Sequence, residues 1–217
     1  MRIAPSILSA DFAKLASEIE RVERAGAHQL HVDVMDGHYV PNLTFGPMVV
    51  EAIRRSTRLP LDVHLMIESA DRWIDAFVDA GADMVAFHPE SIHHPHLALT
   101  SIGKRGRKAG LALNPGLSLS AVEELLPLAD YAIIMSVNPG WGGQDFIEGS
   151  FERAETLRRF ARERGLALEI EIDGGMNAER VPRAALAGID VVIAGSAIFK
   201  AKDPAEVIRR MLSAVPA

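Results

Sequence analysis

His31, Asp33 and Met35 stand at alternate positions of the segment HVDVMDG, residues 31–37. In a strand, where side chains alternate between the two faces, all three point the same way. A second segment, LDVHLM (61–66), puts Asp62, His64 and Met66 in the same relation. A third, LALEIEID (166–173), ends in Asp173 and runs into two glycines. Two imidazoles and two carboxylates, His31, Asp33, His64 and Asp173, form a donor set for one divalent ion. Zinc is the first choice, and iron(II), manganese or cobalt also suit it. Taken singly each residue has a plainer explanation. A histidine in a strand is commonly a hydrogen-bonded core group, and an aspartate at a strand end commonly caps the next helix. Their convergence on one end of one sheet makes the metal site the better reading.

That convergence depends on the elements around them. Short apolar runs rich in β-branched residues alternate with longer stretches of helical period. Strands are predicted at IAPSIL (3–8), HQLHVDV (28–34), LDVHLM (61–66), MVAFH (84–88), LALN (111–114), YAIIMSV (131–137), LALEIEID (166–173) and VVIAG (191–195). Between them lie amphipathic stretches; in DFAKLASEIERVERAG, residues Phe12, Leu15, Ile19 and Val22 share one helical face. Gly26, Gly81, Gly110, Gly165 and Gly188 precede the next strand, where a left-handed helix cap is expected. Eight strands, each followed by a helix, predict a parallel sheet closed as a single-domain (β/α)8 TIM barrel over residues 1–217, with a doubly wound open sheet as the alternative. In such a barrel, chemistry sits at the carboxyl ends of the strands. That is where the histidines and aspartates interrupt the apolar runs.

The composition narrows the function classes. The chain has 217 residues, is 48% hydrophobic, and carries a formal charge of −6. With no sustained basic stripe and only two Trp and two Tyr, it is not a general nucleic-acid binder. The short basic run GKRGRK (103–108) reads as a solvated face. Without cysteine there are no disulfides, thiolate metal sites or Cys nucleophile. The N-terminus lacks the apolar run of a secretory signal, and nothing approaches the roughly 20 apolar residues of a membrane span. A cytoplasmic protein with a small-molecule partner is expected. The His-rich segment HPESIHHPH (88–96) reads as a solvated loop after the fourth strand.

Three glycine-rich loops follow the sixth, seventh and eighth predicted strands: NPGWGGQ (138–144), DGG (173–175) and AGSAIF (194–199). At such a rim, glycines let backbone N–H groups reach phosphate oxygens, and a helix N-terminus favours the anion. Ser196, opening a helix, either bonds the phosphate or caps.

Together, SILSADFAKL, HVDVMDGHYVPNLTFGP, DVHLMI, ALNPG, MSVNPGWGGQDFI, DGG and IAGSAIF resemble the ribulose-phosphate 3-epimerase family, in order, from about Ile3 to Phe199. The resemblance implies a metal-dependent isomerase of sugar phosphates that interconverts D-ribulose 5-phosphate and D-xylulose 5-phosphate. By position it implies that His31, Asp33, His64 and Asp173 hold one divalent ion per subunit, and that Asp33 and Asp173 are the acid/base pair. It makes Ser9, Met35, His64, Met66, Met135, Gly142, Gly143, Gln144, Asp173, Gly174, Gly175, Gly195 and Ser196 substrate-contacting residues. A homo-oligomer is expected as well. Trp141 stands where the family pattern more often has Phe, Met176 where it has Ile or Val, and Ala70 where it often has Pro.

The implied chemistry suits these residues. Epimerisation beside a ketone removes a proton from one face of a carbon and returns one to the other. A single base tends to return it where it came from, whereas two carboxylates act as base and acid and exchange roles in reverse. An unperturbed Asp, with a pKa of about 3.9, is a weak base for a carbon acid, so a metal stabilising the enediolate is needed. Methionines around that centre are polarizable and offer no competing proton, although Met66 alone reads as core filling. Three rivals remain. The first is an epimerase of the same design for a hexulose phosphate such as allulose 6-phosphate. The second is the phosphate-binding decarboxylases and synthases, whose Asp-x-Lys pattern is here Asp62-Val63-His64. The third is a barrel that only binds a ligand.

Overall fold

Strands with apolar side chains on both faces must be covered on both, and parallel strands joined by helices achieve this. The computed structural model describes residues 1–215. Eight parallel strands, β1 (Arg2–Pro5), β2 (Leu30–Met35), β3 (Leu61–Met66), β4 (Met84–Phe87), β5 (Lys108–Leu113), β6 (Tyr131–Met135), β7 (Glu169–Asp173) and β8 (Val191–Ala194), form one sheet ordered β1-β8-β7-β6-β5-β4-β3-β2. Its two ends meet where Ser6 and His31 form a parallel bridge and the His28 amide donates to the Ile3 carbonyl. The sheet therefore curls into a barrel. Helices α1 (Leu15–Arg24), α2 (Pro47–Ser56), α3 (Ile74–Asp79), α4 (Pro95–Lys104), α5 (Ser150–Glu163), α6 (Val181–Leu186), α7 (Ser196–Phe199) and α8 (Pro204–Ser213) connect and cover the strands. No described helix is long and apolar enough to cross a membrane.

The larger core lies between sheet and helices, where Leu30, Val32, Leu61, Val63, Leu65 and Ile170 are fully buried with Ile19, Ile53, Phe77 and Leu157. The barrel interior is built unevenly. Ala4, Met84, Ala86, Ala112, Tyr131, Ile133, Met135, Val191 and Ile193 form an apolar cluster there. Buried His31, Asp33, Asp62, His64 and Glu171 lie on β2, β3 and β7. The β2–β3 register sets His31 beside Asp62, Asp33 beside His64, and Met35 beside Met66.

Some expectations need correction. The link from β5 to β6 has no α-helix; it makes two 3-10 turns, Leu119–Ala121 and Leu126–Leu128. Pro127, which has no N–H to donate, interrupts any longer helix, while buried Val122 and Leu126 cover the sheet. The first strand stops at Pro5 because Ile7–Ser9 coils into a 3-10 turn. Phe12 does not share the buried face of α1. It precedes that helix in its own 3-10 turn, is 45% exposed, and packs on Phe45 at 5.5 Å between ring centroids. Gly26, Gly81, Gly165 and Gly188 do adopt the left-handed caps expected of them.

Gly110 is not a cap; Gly106, with φ of +68°, follows α4 instead. Gly110 sits inside β5 with the Tyr131 ring against it, so an added Cβ would fall 2.3 Å from the ring's Cζ. Nothing at that distance can stay. The Gly110→Ala variant is expected to lose about 1–3 kcal/mol of stability, as overpacked cores do. It should show as a lower urea midpoint at unchanged m-value.

Candidate active site

On β2, β3 and β7 the four predicted ligands converge, Asp173 at the carboxyl end of its strand and His31 one residue into β2. One donor atom from each of His31, Asp33, His64 and Asp173 lies within 4.8 Å of all the others. His31 Nε2 is 3.2 Å and His64 Nδ1 3.3 Å from Asp33 Oδ1, while His31 Nε2 is 4.0 Å from Asp173 Oδ2. The first three of these atoms are buried without a hydrogen-bond partner, their mutual contacts lacking the alignment of one. Unpartnered buried polar atoms are costly, and three facing one point fit a shared cation. The donor set, two nitrogens and carboxylate oxygens, suits a divalent metal.

The imidazole and carboxylate neighbours set the charges here. Burial disfavours a charged His31, yet Asp33 and then Asp62 outweigh it and raise its pKa well above the usual value. Burial also pushes Asp33 up, but the His31 charge, with help from His64, holds it well below the ordinary carboxylate range. Asp173 goes the other way: burial first, then the Asp33 charge, push it up to about 6. Two nearby carboxyls thus have different proton affinities.

A further layer of polar residues lies behind these four side chains. Ser6 Oγ donates to Asp33 Oδ2 at 2.6 Å. Asp62 Oδ2 holds His31 Nδ1 at 2.7 Å, and the Tyr131 hydroxyl donates to Asp62 Oδ1 at 2.6 Å. Gln29 Nε2 donates to Glu171 Oε1 at 3.1 Å, and burial together with the Asp62 charge raises the Glu171 pKa well above normal. None of these supporting residues was assigned a role from the sequence. Asp62, two residues before His64, and Glu171, two before Asp173, carried the same period-two signal as the predicted ligands. Ser6 and Tyr131 carried none. His88 is a correction: it is fully buried and its Nε2 lies 3.0 Å from His64 Nε2. It continues the inward-facing positions Met84 and Ala86, whereas His93, His94 and His96 are exposed, as expected of a solvated loop.

Above the four predicted ligands opens a cavity lined by Ser9, Met35, Met66, Met135, Asp33 and Asp173 among others. Gly142, Gly143, Gly174, Gly175, Gly195, Ser196 and Trp141 complete its rim. His31 and His64 lie beneath, fully buried and outside the lining. Gln144 also lies outside it, its amide donating to the carbonyls of Asn138 and Trp141 and so tying its own loop. Two rim glycines are required by the packing. At Gly174, with φ of +116°, a Cβ would meet Val137 Cγ2 at 2.5 Å; at Gly195 it would meet Ser9 Oγ at 2.9 Å. No Lys or Arg lines the cavity among the described residues.

The chain matches a model of the ribulose-phosphate 3 epimerase family over residues 2–199. It is 48% identical over 204 residues to the ribulose-phosphate 3-epimerase of Bacillus subtilis (strain 168), covering 94% of each chain. It is 47% identical to that of Aquifex aeolicus (strain VF5), covering 98% of each. It is 49% identical to the chloroplastic ribulose-5-phosphate-3-epimerase of Arabidopsis thaliana, covering 95% of this chain and 74% of that one. Among solved structures, 3-hexulose-6-phosphate synthase from Salmonella typhimurium superposes with a TM-score of 0.74 at 20% identity, covering 99% of this chain and 98% of that one. That likeness is one of fold.

Proposed function

The chain belongs to the ribulose-phosphate 3 epimerase family, and from that premise we propose that it interconverts D-ribulose 5-phosphate and D-xylulose 5-phosphate in the cavity above His31, Asp33, His64 and Asp173. The observation that carries the reading is the meeting of three unpartnered buried donor atoms with Asp173 at the floor of that cavity. We assign His31, Asp33, His64 and Asp173 as holders of one divalent ion, zinc being the first choice for two nitrogen and two carboxylate donors. When bound, that ion supplies positive charge against the oxyanion that develops beside the reacting carbon.

The chain's own residues supply the rest. Asp33 and Asp173 reach the cavity from β2 and β7, which are separated by β1 and β8 along the barrel wall. One carboxylate takes the C3 proton and the other, protonated, delivers its own to the opposite face. Neighbouring carboxyls whose environments drive their proton affinities apart divide acid and base roles in this way. Met35, Met66 and Met135 line the cavity without a competing proton. With no lining Lys or Arg, the substrate phosphate is held by backbone: the loops at Gly142–Gly143, Gly174–Gly175 and Gly195 present amide groups, and the first amides of α7 lack intrahelical partners. Binding the phosphate there positions the reacting carbon at a fixed distance. Ser9 contributes a hydroxyl at the same rim.

Exchange with solvent tests this directly. Incubated with D-ribulose 5-phosphate in D2O, the protein is expected to form D-xylulose 5-phosphate bearing deuterium at C3, read by proton NMR. Binding without deuterium uptake would leave only a ligand-binding barrel. A higher kcat/KM on allulose 6-phosphate would transfer the reading to a hexulose phosphate.

A further inference from the structure

We propose that His88 is a positioning residue that fixes the tautomer of His64, so that His64 Nδ1 turns a lone pair toward the ion. The inference rests on the donor set assigned above. His64 and His88 share one contact, Nε2 to Nε2 at 3.0 Å, and both rings are fully buried. Two facing ring nitrogens at that distance hold a single hydrogen between them. The other nitrogen of His64, Nδ1, is an unpartnered atom 3.3 Å from Asp33 Oδ1. A nitrogen that binds a metal carries no proton, so neutral His64 must carry its hydrogen on Nε2 and donate it to His88. His88 must then accept through a bare Nε2 and keep its own hydrogen on Nδ1. A metal-bound imidazole usually donates its remote N–H to such a partner, which orients the ring.

The backbone and ring of His88 are held in place, while its Nδ1 is itself buried without a partner. Its carbonyl accepts from the Ser91 amide at 3.0 Å and from Ser91 Oγ at 2.8 Å. Its ring lies against Tyr39, with centroids 4.7 Å apart. Glu90 Oε1 is 3.7 Å from His88 Nδ1, beyond hydrogen-bond reach. The two predicted ligand imidazoles are therefore backed differently, His31 by the Asp62 carboxylate and His64 by another imidazole.

Zinc binding separates this from a merely structural role. Dissociation constants are measured by competition with a chelating dye for metal-stripped wild type, His88→Leu and His88→Gln. Melting of the stripped proteins serves as the control for folding. His88→Leu is expected to bind zinc about 10- to 100-fold more weakly, the usual effect of removing such a partner. His88→Gln, which keeps an acceptor there, should stay within about threefold of wild type, since Gln offers both a carbonyl and an amide. Equal affinity in a folded His88→Leu protein, or equal losses in both variants, overturns the proposal. Should His88→Leu not fold, wild type alone decides. In zinc-loaded, 15N-histidine-labelled protein, His88 must show a protonated Nδ1 and a bare Nε2, and the reverse tautomer overturns the proposal. If wild type takes up no zinc, the donor set itself fails, a result distinct from every other.

Discussion

The Asp173→Asn protein keeps its fold and loses its turnover. On D-ribulose 5-phosphate, kcat is expected to fall about 10^3- to 10^4-fold, toward the upper end of what one positioned acid or base contributes. The substitution preserves shape but leaves a group that neither takes nor releases a proton at neutral pH. It should be tolerated structurally because Asp173 ends β7 with its side chain 16% exposed, and burial already favours a neutral group there. Asp33→Asn should abolish turnover as fully and disturb the protein more. Asp33 is 3% exposed, accepts from Ser6, and is the first of the charges that raise the His31 pKa. Circular dichroism, metal content and kcat measured on both variants make the comparison. Near-normal epimerisation by either one, with its ion retained, would leave no place for a two-carboxylate mechanism.

The clustering of the four residues was legible because a strand's period of two is hard to counterfeit. An imidazole and a carboxylate on the inward face of an otherwise apolar run demand an explanation, and His31, Asp33, His64 and Asp173 were placed together on that ground. β3 was read to the residue, since Asp62 and His64 alternate with fully buried Leu61, Val63 and Leu65. What was lost depends on tertiary contact. Gly110 resembles any cap until the Tyr131 ring is set against it. The helix expected between β5 and β6 has the apolar content it needs, but Pro127 decides the local geometry. His88 was read with its sequence neighbours, although its period-two partners, Met84 and Ala86, lie inside the barrel. Asp62, Tyr131 and Glu171 meet only when the sheet closes, and that packing brings together residues up to 109 positions apart, as between Asp62 and Glu171.

Stripping the ion should destabilise the protein more at pH 8 than at pH 5, besides removing activity. Without a metal, burial first and then the charge of ionised Asp33 raise the proton affinity of Asp173 from 3.8 to about 6. A group whose folded pKa is raised stabilises the fold fully below its unfolded value and loses that contribution as pH climbs through the folded one. For Asp173 the loss runs from about pH 4 to above pH 6 and amounts to about 3 kcal/mol. His31, also raised in the folded protein, works in the same direction at higher pH. Asp33, held low, acts only below this window. Metal binding has the complementary dependence, because a protonated Asp173 must release its proton to become a ligand, so affinity weakens at pH 5. The gap between reloaded and chelated protein follows this affinity, since binding stabilises the fold by RT ln(1 + [metal]/Kd), and so it widens as pH rises. Differential scanning calorimetry with chelator, then with zinc, manganese, cobalt or iron(II) restored, should give a Tm difference clearly larger at pH 8, with turnover returning alongside it. A gap that is constant or shrinks with pH would remove Asp173 from the ion's shell, and a fully active stripped protein would remove the ion from the reaction.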